Sequence, residues 1–363
     1  MAVRVEKPAF NLRSKLNELD RPVGAFGNQV LATENRYDAS KLIGGGRKNL
    51  LINGDFKISQ RGDYTSSTAV TDDAYYIDRW KMRESGTAIT ITHNKNISIT
   101  GAGGDGIKTN SIKIEPSTAT GYWAMRQIVE DYAAVSGQTV TFSCWVRGLG
   151  PKVHFRLWAN SNIGHGHVLT EDWQFYTETF TLPAFTQAVD GANGFVPTIT
   201  NYAGGGVSNK TTHWCEVALF QVEFGRSPTP FEFRTEAEEL QLCQRYYTQY
   251  GPNSALGRFP MLGECTSTTV AQYPLQFPVM MRGGSGGISL VTNGSTSDYQ
   301  IYSGNSSKPC TGISIAVTFK NPHHGCWGVR LNMNRSNGDL SAGHAAQAYS
   351  GEATSILGFS KEL

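Results

Sequence analysis

Residues Asn49–Gly62, NLLINGDFKISQRG, join a strand-like apolar run to an Asn-Gly-Asp turn and then to a second stretch of alternating character. An Asn-Gly pair between two such stretches is a strong short-range signal for antiparallel strands. The segment is therefore read as the opening of a β-sandwich, which points to a binding or structural module rather than an enzyme. The chain downstream repeats the theme. Thr139–Gly148, TVTFSCWVRG, alternates so that Val140, Phe142, Cys144 and Val146 share one face. Ala88–Thr92, Val153–Trp158, Phe175–Leu182 and Trp214–Phe224 have the same character. Short strands between Gly, Asn and Ser turns, with no helical periodicity between them, predict two antiparallel sheets packed face to face. The expected fold is mostly β: a jelly-roll-like antiparallel sandwich plus a C-terminal β domain, with short N-terminal helices and one connecting helix.

Length and composition fit this reading. A chain of 363 residues is too long for one ordinary sandwich. Charged residues make up 17%, the net charge is +2 and there are 40 glycines, a balance that suits β-rich folds with many turns. Nothing in that balance points to nucleic acid. No apolar run approaches the roughly 20 residues that cross a bilayer, so no membrane insertion is expected. The start, MAVRVEKPAF, lacks the apolar core of a signal peptide, and folding in a cytosol is the expectation. Cys144, Cys215, Cys243, Cys265, Cys310 and Cys326 form no CxxC pair, so no zinc or redox motif is indicated. In a reducing compartment they read as buried thiols.

Four regions follow. Residues 1–48 differ in composition from the rest: Asn11 can cap a short helix bearing Leu12, Leu16 and Leu19, and a second short helix is expected from about Thr33. A flexible leader needs no Phe10, Leu12, Leu16, Leu19 or Phe26, so the favoured reading is a segment that docks onto a larger assembly. Residues 49–234 form the sandwich. Residues 235–250 form a helix opened by a Thr235/Glu238 capping box, with Leu240, Cys243, Tyr247 and Tyr250 at coiled-coil spacing. That seam either lies on the chain's own sandwich or makes a three-chain contact. Residues 251–363 form a second β region, with strands at Ile288–Thr292, Tyr299–Tyr302, Ile313–Phe319, Trp327–Asn332 and Ser355–Phe359.

Taken together, NLLINGDFKISQRG, YYIDRW at Tyr75–Trp80, FSCWVRG at Phe142–Gly148 and VEFGRSPTPFEFRTEAEELQLCQRYY at Val222–Tyr247 resemble a family of tailed-bacteriophage virion proteins. Its members look like tail fibres or related appendages with a sandwich similar to carbohydrate-binding modules. KPAFNLRSKLNELDRPVG also resembles the anchoring leader of fibres of the marine podovirus type. The resemblance implies a homotrimeric appendage, assembled in the host cytoplasm and carried on the virion. It further implies contact with other virion proteins through the N-terminal segment. In related carbohydrate-binding modules the strand after the NGDF turn often continues with Glu and helps hold a calcium ion. Lys57 stands there in this chain.

Candidate ligand-binding residues are those whose chemistry suits a sugar. Trp158, Trp173 and Tyr176 lie beside turns, where an exposed ring can stack on a pyranose face; core packing is the competing reading, and the favoured one for Trp80, Trp145 and Trp214. Asp190, Asn193 and Asn201 lie in Gly-rich loops and can hydrogen-bond hydroxyls. His165 and His167 in GHGH stand two apart and would point the same way on a strand; with no second ligand source in the sequence, no metal or cofactor is assigned. No nucleophile–base–orienter set announces itself among Asp72, Asp73, Glu236, Glu238 and Glu239, so no catalytic residue is assigned. The expected function is noncovalent attachment to the host cell surface, to a glycan or protein, by a trimeric fibre; avidity across three sites suits repetitive glycans. The alternative is a purely structural capsid-decorating fibre or tail connector without receptor binding. A glycan hydrolase is the third reading, and the repeating strand period of a long parallel β-helix is missing from the chain.

Overall fold

The computed structural model describes residue 27 and residues 48–100, 106–118, 121–150, 152–157, 164–186, 194–202, 211–251, 257–283, 287–321, 325–352 and 355–362. The expected N-terminal helices, with Phe10, Leu12, Leu16 and Leu19, lie outside the described residues.

The first part of the chain forms β1 (Thr68–Ala69), β2 (Ala74–Tyr75), β3 (Lys81–Ser85), β4 (Ile89–Ile99), β5 (Ile107–Pro116), β6 (Tyr122–Arg126), a single-turn helix α1 (Tyr132–Val135), β7 (Thr139–Leu149), β8 (His154–Leu157), β9 (Gln174–Thr181), β10 (Pro197–Thr200) and β11 (Trp214–Phe224). One sheet has the order β1-β4-β5-β11-β7-β9 and the other β2-β3-β6-β10-β8. The core lies between them, where Ile114, Phe142 and Phe220 from the first meet Trp123, Met125 and Phe155 from the second. The alternation of β7 is as read: Val140, Phe142, Cys144 and Val146 face this core. Thr141, Ser143 and Arg147 share strand parity with Trp145, which belongs to a separate small cluster with Ile99, Trp173, Ala218 and Leu219.

The opening segment corrects its own reading. Asn49–Gly62 contains no strand. β5 pairs with β11 only as far as Ala218, where the register of β11 slips before Gln221. Beyond that point residues 49–54 take the vacated side. Leu50 N donates to Val222 O at 2.8 Å, and Phe220 N donates to Gly54 O at 2.8 Å. The Asn49 carboxamide oxygen accepts from Val222 N at 3.0 Å. Asn53, at φ 59°, turns the chain inward. Its side chain accepts from Ile58 N at 2.9 Å and donates to Ile58 O and Asp78 O at 2.8 and 2.9 Å. Short amide side chains that bond nearby backbone compete with a sheet ladder, and here they win. At Gly54 a Cβ would sit 2.2 Å from Phe220 O, so only glycine lets the turn close on β11.

The second part forms α2 (Glu236–Gln244), β12 (Tyr247–Tyr250), β13 (Arg258–Cys265), β14 (Val270–Met281), β15 (Ser289–Thr292), a 3-10 turn at Thr296–Asp298, β16 (Tyr299–Ser303), β17 (Ser306–Pro309), β18 (Gly312–Asn321), β19 (Gly325–Asn334), β20 (Ala345–Ser350) and β21 (Leu357–Ser360). A three-stranded sheet, β12-β21-β15, packs on a seven-stranded one, β17-β16-β20-β13-β14-β19-β18. Tyr273, Leu275, Phe277, Leu331 and Phe359 fill the space between them. The Thr235/Glu238 capping box is present. The helix is shorter than the expected 235–250, because Tyr247–Tyr250 pairs with Leu357–Ser360 as a strand. Tyr246, Tyr247 and Thr248 are consecutively buried, which a strand between two layers permits and an exposed helix does not. Leu240, Cys243, Tyr247 and Tyr250 therefore form no helical seam. Cys243 and Tyr247 are already buried within this chain and offer no surface to another copy. All six cysteines are free and buried.

Blocks distant in sequence meet where the sandwich and the second β region join. Arg79 is buried, ion-pairs with Glu362 and places its guanidinium 3.5 Å above the ring of Tyr246. Arg61 pairs with the same carboxylate at 2.8 Å and lies 3.8 Å over Tyr247. Gln60 donates to Tyr247 O at 2.9 Å. Arg245 clasps Glu130 through two hydrogen bonds of 2.9 and 2.8 Å, and Tyr246 donates its hydroxyl to the same group at 2.8 Å.

Candidate functional site

The residues singled out from sequence as sugar contacts do not gather into one site. Trp158 and Asp190 lie outside the described residues. Trp173 is 4% exposed, packed in the small cluster on the outer face of the six-stranded sheet with Arg147 4.9 Å from its ring, so it has no free face for a pyranose. Tyr176 is half-buried and stacks on His167 at 4.6 Å, while its hydroxyl donates to Val168 O. Asn201 is buried, and its carboxamide oxygen accepts from Trp123 N at 2.9 Å. These three are structural. Their loops read as open because sequence does not show which loops fold back on the sandwich.

His165 and His167 do face one partner. Glu178 accepts from the His165 ring at 3.0 Å and lies 3.6 Å from His167 Nε2. Burial lowers the His167 pKa, with the neighbouring Glu178 opposing it. Lys57 pairs with Asp55 at 2.8 Å and so supplies a positive charge there itself. Among the described residues no group of three or more His, Cys, Asp or Glu side chains is arranged to hold a metal ion. No helix among them is long and apolar enough to cross a membrane.

Two hollows remain. The first, of about 520 Å³, lies on the outer face of the six-stranded sheet and is lined by Ile107, Trp145, Phe175, Leu219, Phe231 and Phe233, with Ser143 and Thr229 as polar members. The cross-strand pair Trp145↔Phe175 builds its floor. Its character is overwhelmingly apolar.

The second, of about 480 Å³, lies on the seven-stranded sheet and is lined by Leu262, Gly263, Glu264, Gln272, Pro274, Phe319 and Arg330. Strand parity creates it. In β14 the residues Tyr273, Leu275 and Phe277 are buried while Pro274 and Gln276 are exposed. Across the sheet Gln272 pairs with Glu264 on one side and Asn332 on the other. Pro274 stands opposite Arg330, which stands opposite Val317. Phe319 and Gln276 flank Gly328, whose missing side chain leaves the hollow open; a Cβ there would lie 2.5 Å from Leu275 O. At the adjoining register slip of β19, Trp327 projects outward, 44% exposed, and stacks on Phe319 with ring centroids 4.9 Å apart and planes 19° from parallel. A bulge that re-aims a side chain next to a surface site is a known use of that irregularity. Leu262, 71% exposed, forms the far wall. Gln272 donates to Asn332 at 3.0 Å, which fixes both amides on this face.

Sequence reading missed this groove. Its residues come from four strands separated by up to tens of positions, and Trp327 was read only as part of a strand.

No protein-family model and no curated protein matches the chain. Among solved structures, 48% of the chain overlaps 21% of the enzymatically active domain of bacteriophage CBA120 tailspike protein 4, at 14% identity and a TM-score of 0.31. It thus spans about a fifth of that protein. It also overlaps the module TmCBM61, solved with β-1,4-galactotriose, over 49% of this chain and 99% of that one, at 11% identity and a TM-score of 0.29. A putative sugar-binding protein from Bacteroides thetaiotaomicron overlaps over 49% and 100%, at 11% identity and 0.30. Overlaps this loose bear on no functional assignment; the architecture itself is a mostly antiparallel β chain with a sandwich and a second β region.

Proposed function

We propose that this chain is a bacteriophage tail-fibre or appendage protein that attaches to a glycan of the host cell surface, acting by noncovalent binding as a homotrimer. Residues 1–48 dock it to the virion and the tip meets the host. The observation that carries the reading is the groove on the seven-stranded sheet: an exposed, stacked Trp327–Phe319 platform next to Glu264, Gln272, Asn332 and Arg330. Stacked rings cover the apolar face of a pyranose, while fixed amides and charges bond its hydroxyls. The ordered sequence blocks described above support the phage assignment. A spacer reading has one observation in its favour, the buried ion-paired joint between sandwich and tip, which suits a rigid rod as well as a presented head.

The test is to pass the purified full-length protein over immobilised bacterial surface polysaccharides while assaying released reducing ends. Binding without release is the expected result. Release of reducing ends would move the assignment to a hydrolase, and failure to bind any polysaccharide would leave the spacer.

A further inference from the structure

We infer that the tip groove takes an acidic glycan, with the anionic group of the sugar seated on Arg330. The inference rests on the reading of this groove as a glycan site and adds the class of ligand.

Arg330 carries it. Arg330 lines the groove and is half-buried, with its Nε fully out of solvent. Among the described residues its guanidinium has neither an ion pair nor a hydrogen bond, and that Nε is left without an acceptor. Arginines elsewhere here are engaged: on the sandwich sheet Arg147 bonds Glu216 at 2.7 Å, and just past β19 Arg335 bonds Asp339 at 2.6 Å. A partly desolvated guanidinium with open donors is costly unless an anion meets it, and its planar fork matches carboxylate and phosphate oxygens. Its cross-strand neighbours, Pro274 and Val317, can supply no such anion.

Glu264 orients the ligand. It lines the same groove but stands in the neighbouring cross-strand row, opposite Gln272. A carboxylate there accepts hydroxyl hydrogen bonds and repels an anion, so the charged substituent is driven to the Arg330 end and the hydroxyl-rich edge to the Glu264–Gln272 end. Trp327 and Phe319, at the other side of Arg330, cover the ring face.

Uronic-type carboxylates and phosphodiesters share this chemistry, and the experiment separates them. Full-length protein is titrated with a polyuronate, a phosphate-bearing polysaccharide and a neutral galactan, at low and high salt, using wild type, Arg330→Gln and Arg330→Lys. Binding of one acidic polymer is expected, weakened about tenfold or more by Arg330→Gln, partly retained by Arg330→Lys and weakened by salt. Binding of the carboxylate polymer alone identifies a uronic-type sugar, and of the phosphate polymer alone a phosphodiester. Preference for the neutral galactan, or acidic binding that Arg330→Gln leaves unchanged in a variant with wild-type circular dichroism, overturns the inference while the glycan reading stands. No binding to any of the three, or to the wider polysaccharide set, removes both.

Discussion

Glu362, one residue from the last of the sequence, is the sole carboxylate bonded to the buried guanidinium of Arg79 among the described residues, and it also holds Arg61. Removing one partner of a buried pair strands the other charge, at a cost of about 3–5 kcal/mol. Glu362→Ala should therefore destabilise the protein by that order in denaturant unfolding, as much as a core truncation. Asp78, nearby, is buried and accepts hydrogen bonds from the backbone and side chain of Gln60. Burial pushes its pKa up to about 7, with Glu362 adding to the effect and Gln60 and Arg61 opposing it. A carboxyl whose folded pKa lies above its unfolded value of about 3.9 contributes stability that is complete below that value and is lost as pH rises through about 7. Wild type should thus lose, relative to Asp78→Asn, on the order of 2 kcal/mol between pH 5 and pH 8. Parallel pH profiles for the two proteins would show that Asp78 titrates normally.

Among the elements, those with strict alternation were legible in the sequence. Trp214–Phe224 is β11 as read, and Thr139–Leu149 extends the reading of β7 by one residue, because an inward apolar row every second residue has few other solutions. The stretch that decided the fold class was nevertheless misread in detail. Its backbone is satisfied by partners far along the chain: Asn49 N by Glu232 at 2.6 Å, and Asn53 N by Glu239 in α2. No local pattern announces such bonds. Likewise the heptad-like spacing after Thr235 could not show that Tyr247 and Tyr250 would be claimed by the chain's closing strand, β21. The groove escaped because cross-strand neighbours such as Pro274 and Arg330 become adjacent only once register is set. Gly54 tests this view of the opening segment. Gly54→Ala must push Phe220 O away and should cost about 1–3 kcal/mol by overpacking, although an ordinary turn glycine without a positive φ would tolerate alanine; thermal unfolding distinguishes the two.

Across the whole molecule, the sandwich and the second β region are joined by buried ion pairs, while the second region carries its groove on the outer face of a seven-stranded sheet. The proposed fibre requires self-association, and neither Cys243 nor Tyr247 is free to provide it. Light scattering of the full-length protein should give a trimer of about 119 kDa, three times the 39.6 kDa chain. A variant lacking residues 1–47 should stay trimeric, its mass lower only by the residues removed, if the contacts lie in the sandwich or the second β region, and a monomer in both would replace the fibre by a decoration or connector protein.

Whether the host is gripped at the groove of the seven-stranded sheet is decided by comparing two ring deletions in one binding measurement. Full-length wild type, Trp327→Ala and Phe233→Ala are titrated by surface plasmon resonance against the bacterial polysaccharide that wild type binds. Trp327 and Phe233 are both exposed aromatics, the first beside the groove and stacked on its lining Phe319, the second in the sandwich hollow. Loss of a ring-stacking contact is worth about 0.5–1.5 kcal/mol, so affinity is expected to fall roughly two- to tenfold in Trp327→Ala and to stay unchanged in Phe233→Ala. The reverse pattern would place recognition on the sandwich and contradict it.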